Sequence, residues 1–407
     1  MQSQVFSNMQ LVCFSHLPWN FVYQRPQHLL SRYTKLYNVY YVEEHEWSSE
    51  QDGYFIQHTN DNVVVVKPHL LKDDDANLNE RLFKILQNLF NEQSIHNYIF
   101  WYYTPMALPF TNLFAPVVTV YDCMDELSAF KFAPPELVQF ENELFAKADV
   151  VFTGGNNLYQ VKKNKHSNIH CFASSIDKVH FATARLGDAS PTDQVNIPYP
   201  RLGFYGVIDE RFDINLIRDV AEAKPEWQII LVGPIVKIDA AILPYNENIH
   251  YLGAKTYEQL PAYLSGWDIA LIPFAINEST KYISPTKTPE YLAAGKPVIS
   301  TAITDVVHPY QHLGLVHVID NAASFIQKAI EEFSTANKTN WLKNVDAYLA
   351  NLSWDNTWEA TNKLLEIELN KKKNLLTNKI KDYVRLFNSG RRFGRGSTSR
   401  ATSVKNQ

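Results

Sequence analysis

A short helix followed by a buried strand is encoded by residues 284–301, SPTKTPEYLAAGKPVIST. Pro285 suits the first turn of a helix, and Gly295 suits its end, because glycine adopts the left-handed conformation found after many helices. Pro297 then opens the run VIST, which is typical of a strand buried on both faces. One helix–strand unit of an α/β domain is therefore predicted here.

The same stretch carries polar residues that can bind a phosphorylated ligand. Ser284 can cap the helix, and the free backbone N–H groups at a helix amino end favour a phosphate. Lys287 adds a mobile positive charge, and Glu290 lies on the same helical face, where it can accept hydrogen bonds from both hydroxyls of a ribose. Spacing alone favours a simpler interpretation, a surface ion pair between Lys287 and Glu290 that contributes about 0.2–0.5 kcal/mol.

Strand and helix alternate around this unit throughout the second half of the chain. Strands are predicted at 201–207, 228–233, 249–253, 269–274, 297–301 and 316–320, and helices at 215–224, 256–267, 286–295 and 322–333. This order predicts a parallel, doubly wound sheet with helices on both faces. We assign residues 201–350 to this Rossmann-like domain.

The first half of the chain shows the same alternation. Strands are predicted at 12–15, 39–44, 63–68, 99–105, 117–122 and 150–155, with amphipathic helices at 79–93 and 136–149. The polar, proline-containing stretch 186–200 has no sustained periodicity and is interpreted as an interdomain linker. The predicted fold class is α/β, with a first Rossmann-like domain at 1–185.

The end of the chain has a different composition. Residues 351–370 have a helical pattern whose apolar side chains need a surface to pack on. Residues 371–407 carry eleven Lys or Arg residues and one acid, a net charge of about +10, which leaves about −15 on the rest. Two interpretations stay open: a partly disordered basic tail, or contact of residues 371–400 with an anionic membrane.

Cysteine use and hydropathy indicate the cellular setting. Cys13, Cys123 and Cys171 are odd in number and lack the spacing of metal ligands, as expected of reduced thiols in the cytosol. The amino-terminal stretch lacks the pattern of a signal peptide, and no apolar run is long enough to span a bilayer. We expect a cytoplasmic protein, with the basic tail as a candidate peripheral contact with the inner face of the cell membrane.

The phrase EYLAAGKPVI at 290–299 resembles the signature of the group 1 retaining glycosyltransferases related to glycogen synthase, which have the GT-B fold. The resemblance extends from about residue 11 to residue 369 and includes the linker and a helix that returns to the first domain. It implies a nucleotide-sugar donor domain at 201–350, with Glu290 on the donor ribose, and an acceptor domain at 1–185.

The resemblance also implies further donor-binding residues. The segment GFYGVIDERFD at 203–213 is similar to the loop that approaches the diphosphate, where Gly206 would allow close backbone approach and Arg211 or Lys287 would offset phosphate charge. Arg211 stands at an unfamiliar spacing, and an exposed arginine before a helix is an equally supported interpretation. Backbone around Gly253 would contact the nucleotide base.

Two departures from the family pattern concern catalysis. Tyr282 stands eight residues before Glu290, where the family often has a first glutamate, and Tyr121 stands before Asp122, where the family commonly has His-Asp. A tyrosine cannot act as a base near neutral pH without a large pKa shift. Asp122 and Arg25, which follow predicted strands, are the predicted catalytic-side residues, although an aspartate at a strand end more usually caps a loop.

No metal site is predicted, because Asp73, Asp74 and Asp75 form an acidic run in a polar loop, and basic side chains with the helix dipole would balance the diphosphate. The predicted function is transfer of a sugar, with retention, from a UDP- or GDP-sugar to a glycan or lipid-linked acceptor. No cofactor and no nucleic-acid partner are expected. The alternatives are a nucleotide-sugar epimerase of the same fold and an inert protein that binds nucleotide or glycan.

Overall fold

A computed structural model describes residues 8–72, 77–187 and 190–393, with side chains as far as Asp382. Each half of the chain contains one sheet. The strands of the first half are β1 (Gln10–Phe14), β2 (Asn38–Val42), β3 (Glu46–Ser48), β4 (Gly53–His58), β5 (Val63–Leu71), β6 (Tyr98–Tyr102), β7 (Val118–Cys123), β8 (Val150–Thr153) and β9 (Ile169–Cys171). Its helices are α1 (Arg25–Tyr33), α2 (Leu78–Glu92), α3 (Leu108–Thr111), α4 (Leu137–Lys147), α5 (Asn156–Lys162) and α6 (Lys178–Ala182).

The first sheet has the order β3-β5-β2-β1-β6-β7-β8-β9, with β4 paired to β5. All pairings are parallel except that of β4. Leu11 in β1 lies between Val39 of β2 and Ile99 of β6, and all three side chains are buried. Apolar clusters cover both faces, as the continuous hydrophobic strands predicted.

The second sheet is parallel throughout, with the order β12-β11-β10-β13-β14-β15. The strands of the second half are β10 (Arg201–Tyr205), β11 (Gln228–Val232), β12 (Ile249–Gly253), β13 (Ile269–Ile272), β14 (Val298–Thr301) and β15 (His317–Ile319). Its helices are α7 (Ile214–Ala223), α8 (Leu260–Ser265), α9 (Lys287–Ala293), α10 (Thr304–Val306), α11 (Ala322–Ser334), α12 (Thr339–Leu349) and α13 (Trp354–Phe393). This is the Rossmann order, whose switch point lies between β10 and β13 and marks a ligand-binding crevice. The predicted fold of two parallel α/β sheets is confirmed.

The last helix returns to the first domain. The backbone N–H of Trp354 donates to the carbonyl of Ile176, and Leu365 is buried against the first sheet. The sequence predicted a helix at 351–370 followed by a basic tail, but α13 continues to Phe393. Lysine and leucine in this stretch are good helix formers, which explains the longer helix. Residues 394–407 lie outside the described residues.

Several contacts hold the domains together, among them a hydrogen-bonded carboxylate and an aromatic stack. The Asp305 carboxylate accepts hydrogen bonds from the backbone N–H groups of Asn156 and Asn157, at 2.8 and 2.9 Å, at the start of α5. The ring of Tyr257, from the second domain, stacks on Tyr23 of the first domain with centroids 4.6 Å apart. These contacts hold the carboxyl ends of the two sheets around one cleft between the domains.

Within the described ranges, no helix is both long enough and apolar enough to cross a membrane. The same ranges hold no group of three or more His, Cys, Asp or Glu side chains arranged for a metal ion. The predicted acidic run of Asp73, Asp74 and Asp75 lies outside the described residues.

Candidate active site

A cavity of about 280 Å³ lies between the two domains. On the first domain it is lined by His16, after β1, and by Asp125, after β7. On the second domain it is lined by Arg211, after β10, and by Lys237, after β11. All four residues follow the carboxyl ends of parallel strands, where α/β sheets bind their ligands.

Lys287, the first residue of α9, stands beside Gly206 after β10. A Cβ atom on Gly206 would lie 2.3 Å from Lys287 Cε, and Gly206 has φ of +136°, so glycine is required both for space and for backbone conformation. Lys287 Nζ lies 5.6 Å and 5.5 Å from the ring centroids of Phe204 and Phe274. Within the described part of the chain this ammonium has no ion pair and no hydrogen bond.

Burial and, next, the neighbouring Arg211 guanidinium lower the pKa of Lys287 to about 8, against the opposing charges of Glu290 and Asp209. A half-buried ammonium that has cation–π contacts but no ion pair among the described residues gains stability when a ligand supplies negative charge. The local electrostatics therefore favour an anionic group at Gly206.

Glu290 is only 5% exposed and accepts a hydrogen bond from the Tyr205 hydroxyl. Burial raises the pKa of Glu290 to about 7, while the Tyr205 hydrogen bond and the Lys287 charge oppose the rise. No ion pair joins Lys287 and Glu290 in the described residues, and neither side chain is on an open surface. The interpretation of these two residues as a surface ion pair is therefore wrong.

Ser284 does not cap the helix, contrary to the sequence prediction. Helix α9 begins at Lys287, and its capping position, Thr286, makes no side-chain capping bond. The carbonyl of Ser284 instead accepts a hydrogen bond from the Ser174 hydroxyl at 2.6 Å, which joins the second domain to the first. The capping prediction missed that Pro285 and Thr286 extend the loop before the helix begins.

Arg211 faces the cleft and is held by Asp209, with Arg211 Nη2 2.7 Å from Asp209 Oδ2 and Nε 2.9 Å from Oδ1. Its guanidinium lies 5.6 Å from the ring centroid of Phe130, on the other domain. Arg211 is therefore not the exposed arginine before a helix that the alternative interpretation predicted. Gly253 ends β12 with φ of +70°, and its carbonyl accepts from the N–H of Gly233.

Arg25 and Asp122, the predicted catalytic-side residues, form an ion pair inside the first domain. Arg25 Nε lies 3.0 Å from Asp122 Oδ1, Nη2 lies 2.9 Å from the same oxygen, and Nη1 donates to the Phe172 carbonyl at 2.7 Å. Asp122 is fully buried and Arg25 is 5% exposed. The pair anchors α1 to the sheet behind the cleft wall, and neither residue lines the cavity between the domains.

Tyr121, at the position of the family histidine, points away from the cleft. Its side chain is buried against α4, and its hydroxyl donates to Glu141 Oε1 at 3.0 Å. Burial, with the neighbouring Cys123 and Glu141, raises the pKa of Tyr121 well above its usual value. A proton-accepting role for this tyrosine is excluded by its environment.

Two cleft residues were missed by the sequence analysis. Burial raises the pKa of Asp125 to about 6, against the charges of Arg211 and Arg25. Burial lowers the pKa of His16 to about 4, with Lys237 contributing, and no hydrogen-bond partner of the buried His16 Nδ1 is found within the described ranges. Asp125 stands just beyond β7 and His16 just beyond β1. These positions could have identified both residues from the sequence, since ligands bind at the carboxyl ends of parallel strands.

A second cavity, of about 470 Å³, lies in the first domain. It adjoins the cleft cavity, because Glu44, Thr104, Met106 and Pro134 line both. The two cavities therefore offer adjoining sites for two ligands, one between the domains and one inside the first domain.

Comparison with known proteins agrees with this arrangement. Residues 200–334 match the family model described as Glycosyl transferases group 1. The chain is 23% identical over 245 residues to TuaH of Bacillus subtilis (strain 168), which is provisionally named a teichuronic acid biosynthesis glycosyltransferase. That alignment covers 55% of this chain and 62% of TuaH, so the match spans less than two thirds of that relative.

Solved structures share the architecture. Sucrose-phosphate synthase from Thermosynechococcus elongatus is 14% identical with a TM-score of 0.61, covering 94% of this chain and all of that one. HepE from Anabaena, solved in complex with UDP, is 13% identical with a TM-score of 0.61, covering 88% of this chain and 99% of that one. At these identities the likeness shows the fold alone, which is GT-B.

Proposed function

We propose that this chain, which has the GT-B fold, is a group 1 glycosyl transferase that transfers a sugar from a nucleotide-sugar donor to an acceptor. The observation that carries the proposal is Lys287, an ammonium without an ion pair in the described residues, packed against Gly206 at the switch point of the second sheet. The complex of HepE with UDP supports the choice of a nucleoside diphosphate as the ligand class.

The donor would bind along the carboxyl edge of the second sheet. Lys287 and Arg211 would offset the diphosphate charge, the backbone at Gly206 would approach it closely, and Glu290 would accept hydrogen bonds from the ribose hydroxyls. Since Lys287 and Arg211 can offset the charge of the diphosphate, we propose a donor site that needs no metal ion. The donor is proposed to be a UDP- or GDP-sugar, with Gly253 and Ser284 at the edges of the site.

Asp125 and His16 would face the reacting sugar from the first domain. We assign Asp125 to orienting the acceptor hydroxyl, because this carboxylate lines the cleft just after β7 and its charge interacts with those of Arg211 and Lys287. Asp122 and Arg25 become positioning residues, since their ion pair fixes the strand end that carries Asp125. Retention of configuration would follow if the departing diphosphate takes the acceptor proton on the same face of the sugar.

The extended part of α13 is a proposed contact with an anionic membrane. Lys379 and Lys381 stand on the same helix as Leu375 and Ile380, which are 59% and 55% exposed. Exposed apolar and basic side chains on one helix are typical of helices that lie on a membrane surface. Such a contact would suit a lipid-linked acceptor or a cell-surface glycan.

Nucleotide binding tests the proposed donor site. We expect UDP or GDP, at about 100 times its Kd, to raise the Tm of the wild type by roughly 2–8 °C. Glu290→Gln should lose most of this shift, because it weakens the acceptor of the ribose hydroxyls. Glu222→Gln, an exposed residue of α7, is the matched control and should keep it.

A wild-type Tm that responds to none of UDP, GDP and ADP would contradict the donor site. An equal Tm shift in the wild type and in Glu290→Gln would show that Glu290 is not part of the donor site.

A further inference from the structure

The two adjoining cavities differ in charge. The cleft cavity is lined by basic side chains as well as carboxylates: Arg211, Lys237 and Lys131 on one hand, and Glu44, Asp125, Asp209 and Glu210 on the other. The first-domain cavity is lined by three carboxylates, Glu43, Glu44 and Glu136, and by no lysine or arginine of the described residues. An anionic group can therefore pair with basic side chains in the cleft cavity, whereas the described lining of the first-domain cavity offers it carboxylates and no basic side chain.

The carboxylates of the first-domain cavity have different surroundings. Glu43 is held in place, since its Oε1 accepts from the Trp19 N–H at 2.7 Å and its Oε2 lies 3.8 Å from Lys67 Nζ. Glu44 is exposed and lies where the two cavities join, and Glu136 is exposed at the start of α4. Of these three carboxylates, Glu44 is thus the one that lines both cavities.

The remaining wall of this cavity is largely apolar. Phe14, Val42, Leu82, Met106, Phe110 and Phe140 line it. Apolar walls with a few convergent polar groups are typical of sites that bind a small molecule in one orientation. Carboxylates beside apolar side chains suit a sugar, because a sugar has hydroxyl donors on its edge and C–H groups on its faces.

We propose that the acceptor is an electrically neutral glycoside with an apolar substituent or aglycone, bound in the first-domain cavity with its sugar beside Glu44, where the two cavities join. This proposal rests on the proposed glycosyl transfer. Reaction forms a bond between the donor anomeric carbon and the acceptor oxygen and breaks the bond from that carbon to the diphosphate. The acceptor proton leaves with the diphosphate.

A carboxylate or phosphate on the acceptor would be disfavoured, because Glu43, Glu44 and Glu136 would repel it. The apolar substituent would lie against Phe110 and Leu82, which are deeper in the first domain than the cleft. The basic side chains of the cleft cavity and the apolar wall of the first-domain cavity would thereby also set the direction in which the acceptor binds.

Binding of model glycosides at pH 8 tests the acceptor class, since histidine is ordinarily uncharged there. The probes are the 4-nitrophenyl β-glycosides of glucose and galactose, the matching uronides, which differ by a carboxylate, and the methyl glycosides, which lack the aromatic group. By calorimetry we expect a neutral 4-nitrophenyl glycoside to bind roughly three- to tenfold more tightly than its uronide and than its methyl analogue.

Variants connect this preference to the cavity. Glu44→Gln should narrow the ratio between neutral glycoside and uronide by about threefold, because one like charge is removed. Glu50→Gln, at an exposed residue that does not line the cavity, should leave the ratio unchanged. Leu82→Trp should abolish binding of the 4-nitrophenyl probes by filling the apolar end.

Tighter binding of the uronide, an unchanged ratio in Glu44→Gln, or no binding of any probe would overturn the acceptor proposal. The Tm shift with UDP or GDP is measured on the same samples. A retained nucleotide shift with failed glycoside binding would leave the proposed donor site standing, whereas loss of the nucleotide shift in the wild type would contradict the proposed function itself.

Discussion

Asp122 and Asp125 lie three residues apart at the end of β7 and have opposite environments. Asp122 is fully buried and paired with Arg25, whereas Asp125 lines the cleft. From the sequence both are acids at a strand end, and the choice between them depends on Arg25, which stands 97 residues away. That long-range ion pair is why the sequence selected Asp122 and missed Asp125.

Replacing each aspartate by asparagine should have distinct effects. Asp122→Asn leaves the Arg25 guanidinium buried without its counter-charge, so we expect the free energy of unfolding to fall by about 3–5 kcal/mol. Asp125→Asn should change it by less than about 1 kcal/mol and lower the rate of nucleoside diphosphate release from a donor sugar by about a hundredfold. Urea denaturation and a product-release assay measure the two effects, and the reverse pattern would restore Asp122 to the catalytic centre.

The ammonium of Lys287 should make nucleotide binding sensitive to pH. With a pKa of about 8, Lys287 is charged below that pH and loses its charge as the pH rises through it. The Kd of the nucleoside diphosphate should therefore rise above about pH 8, by at most tenfold per pH unit for one proton. Titration calorimetry from pH 7 to 9.5 measures this.

Lys287→Met is the control for that pH dependence. It keeps most of the side-chain length without the charge, so binding should be weak and independent of pH in this range. A wild-type Kd that does not change with pH, or the same pH dependence in Lys287→Met, would exclude Lys287 from the diphosphate site.

At the scale of elements, most strands and helices of the second domain agree with the sequence prediction to within a few residues. Helix α9 was expected at 286–295 and spans Lys287–Ala293, because its apolar face and Gly295 are local features. Strands β3 and β4 were not predicted, since β4 is an antiparallel edge strand with three exposed residues among six. Strand β4 is stabilised by its pairing with β5, and no local sequence pattern predicts that pairing.

Asp305 links an element of each domain and offers a test of domain closure. Asp305→Ala removes the acceptor for two N–H groups at the start of α5, so we expect a loss of about 1 kcal/mol in stability and a larger radius of gyration without ligand. Small-angle scattering measures the latter. Asp219→Ala, at an exposed position of α7, should scatter like the wild type, and an unchanged radius in Asp305→Ala would show that this contact does not hold the cleft closed.

At the scale of the whole molecule, the alternation of strand and helix was enough to predict two parallel sheets. The EYLAAGKPVI phrase predicts a donor site in the second one, and this stays a prediction. The first-domain cavity was less predictable, because it is formed by residues from segments that are far apart in the sequence, such as Glu44, Met106 and Phe140. The sequence alone does not show which of these segments come together in the folded protein to form the cavity.

Hydrogen exchange with and without the nucleoside diphosphate that gives the largest Tm shift tests the central claim most directly. We predict slower amide exchange at 203–211 and 284–291, on the carboxyl edge of the second sheet, where Gly206, Lys287 and Glu290 would contact the ligand. Protection confined to the first domain, or no protection at these two segments at saturating nucleotide, would contradict a donor site in the second domain.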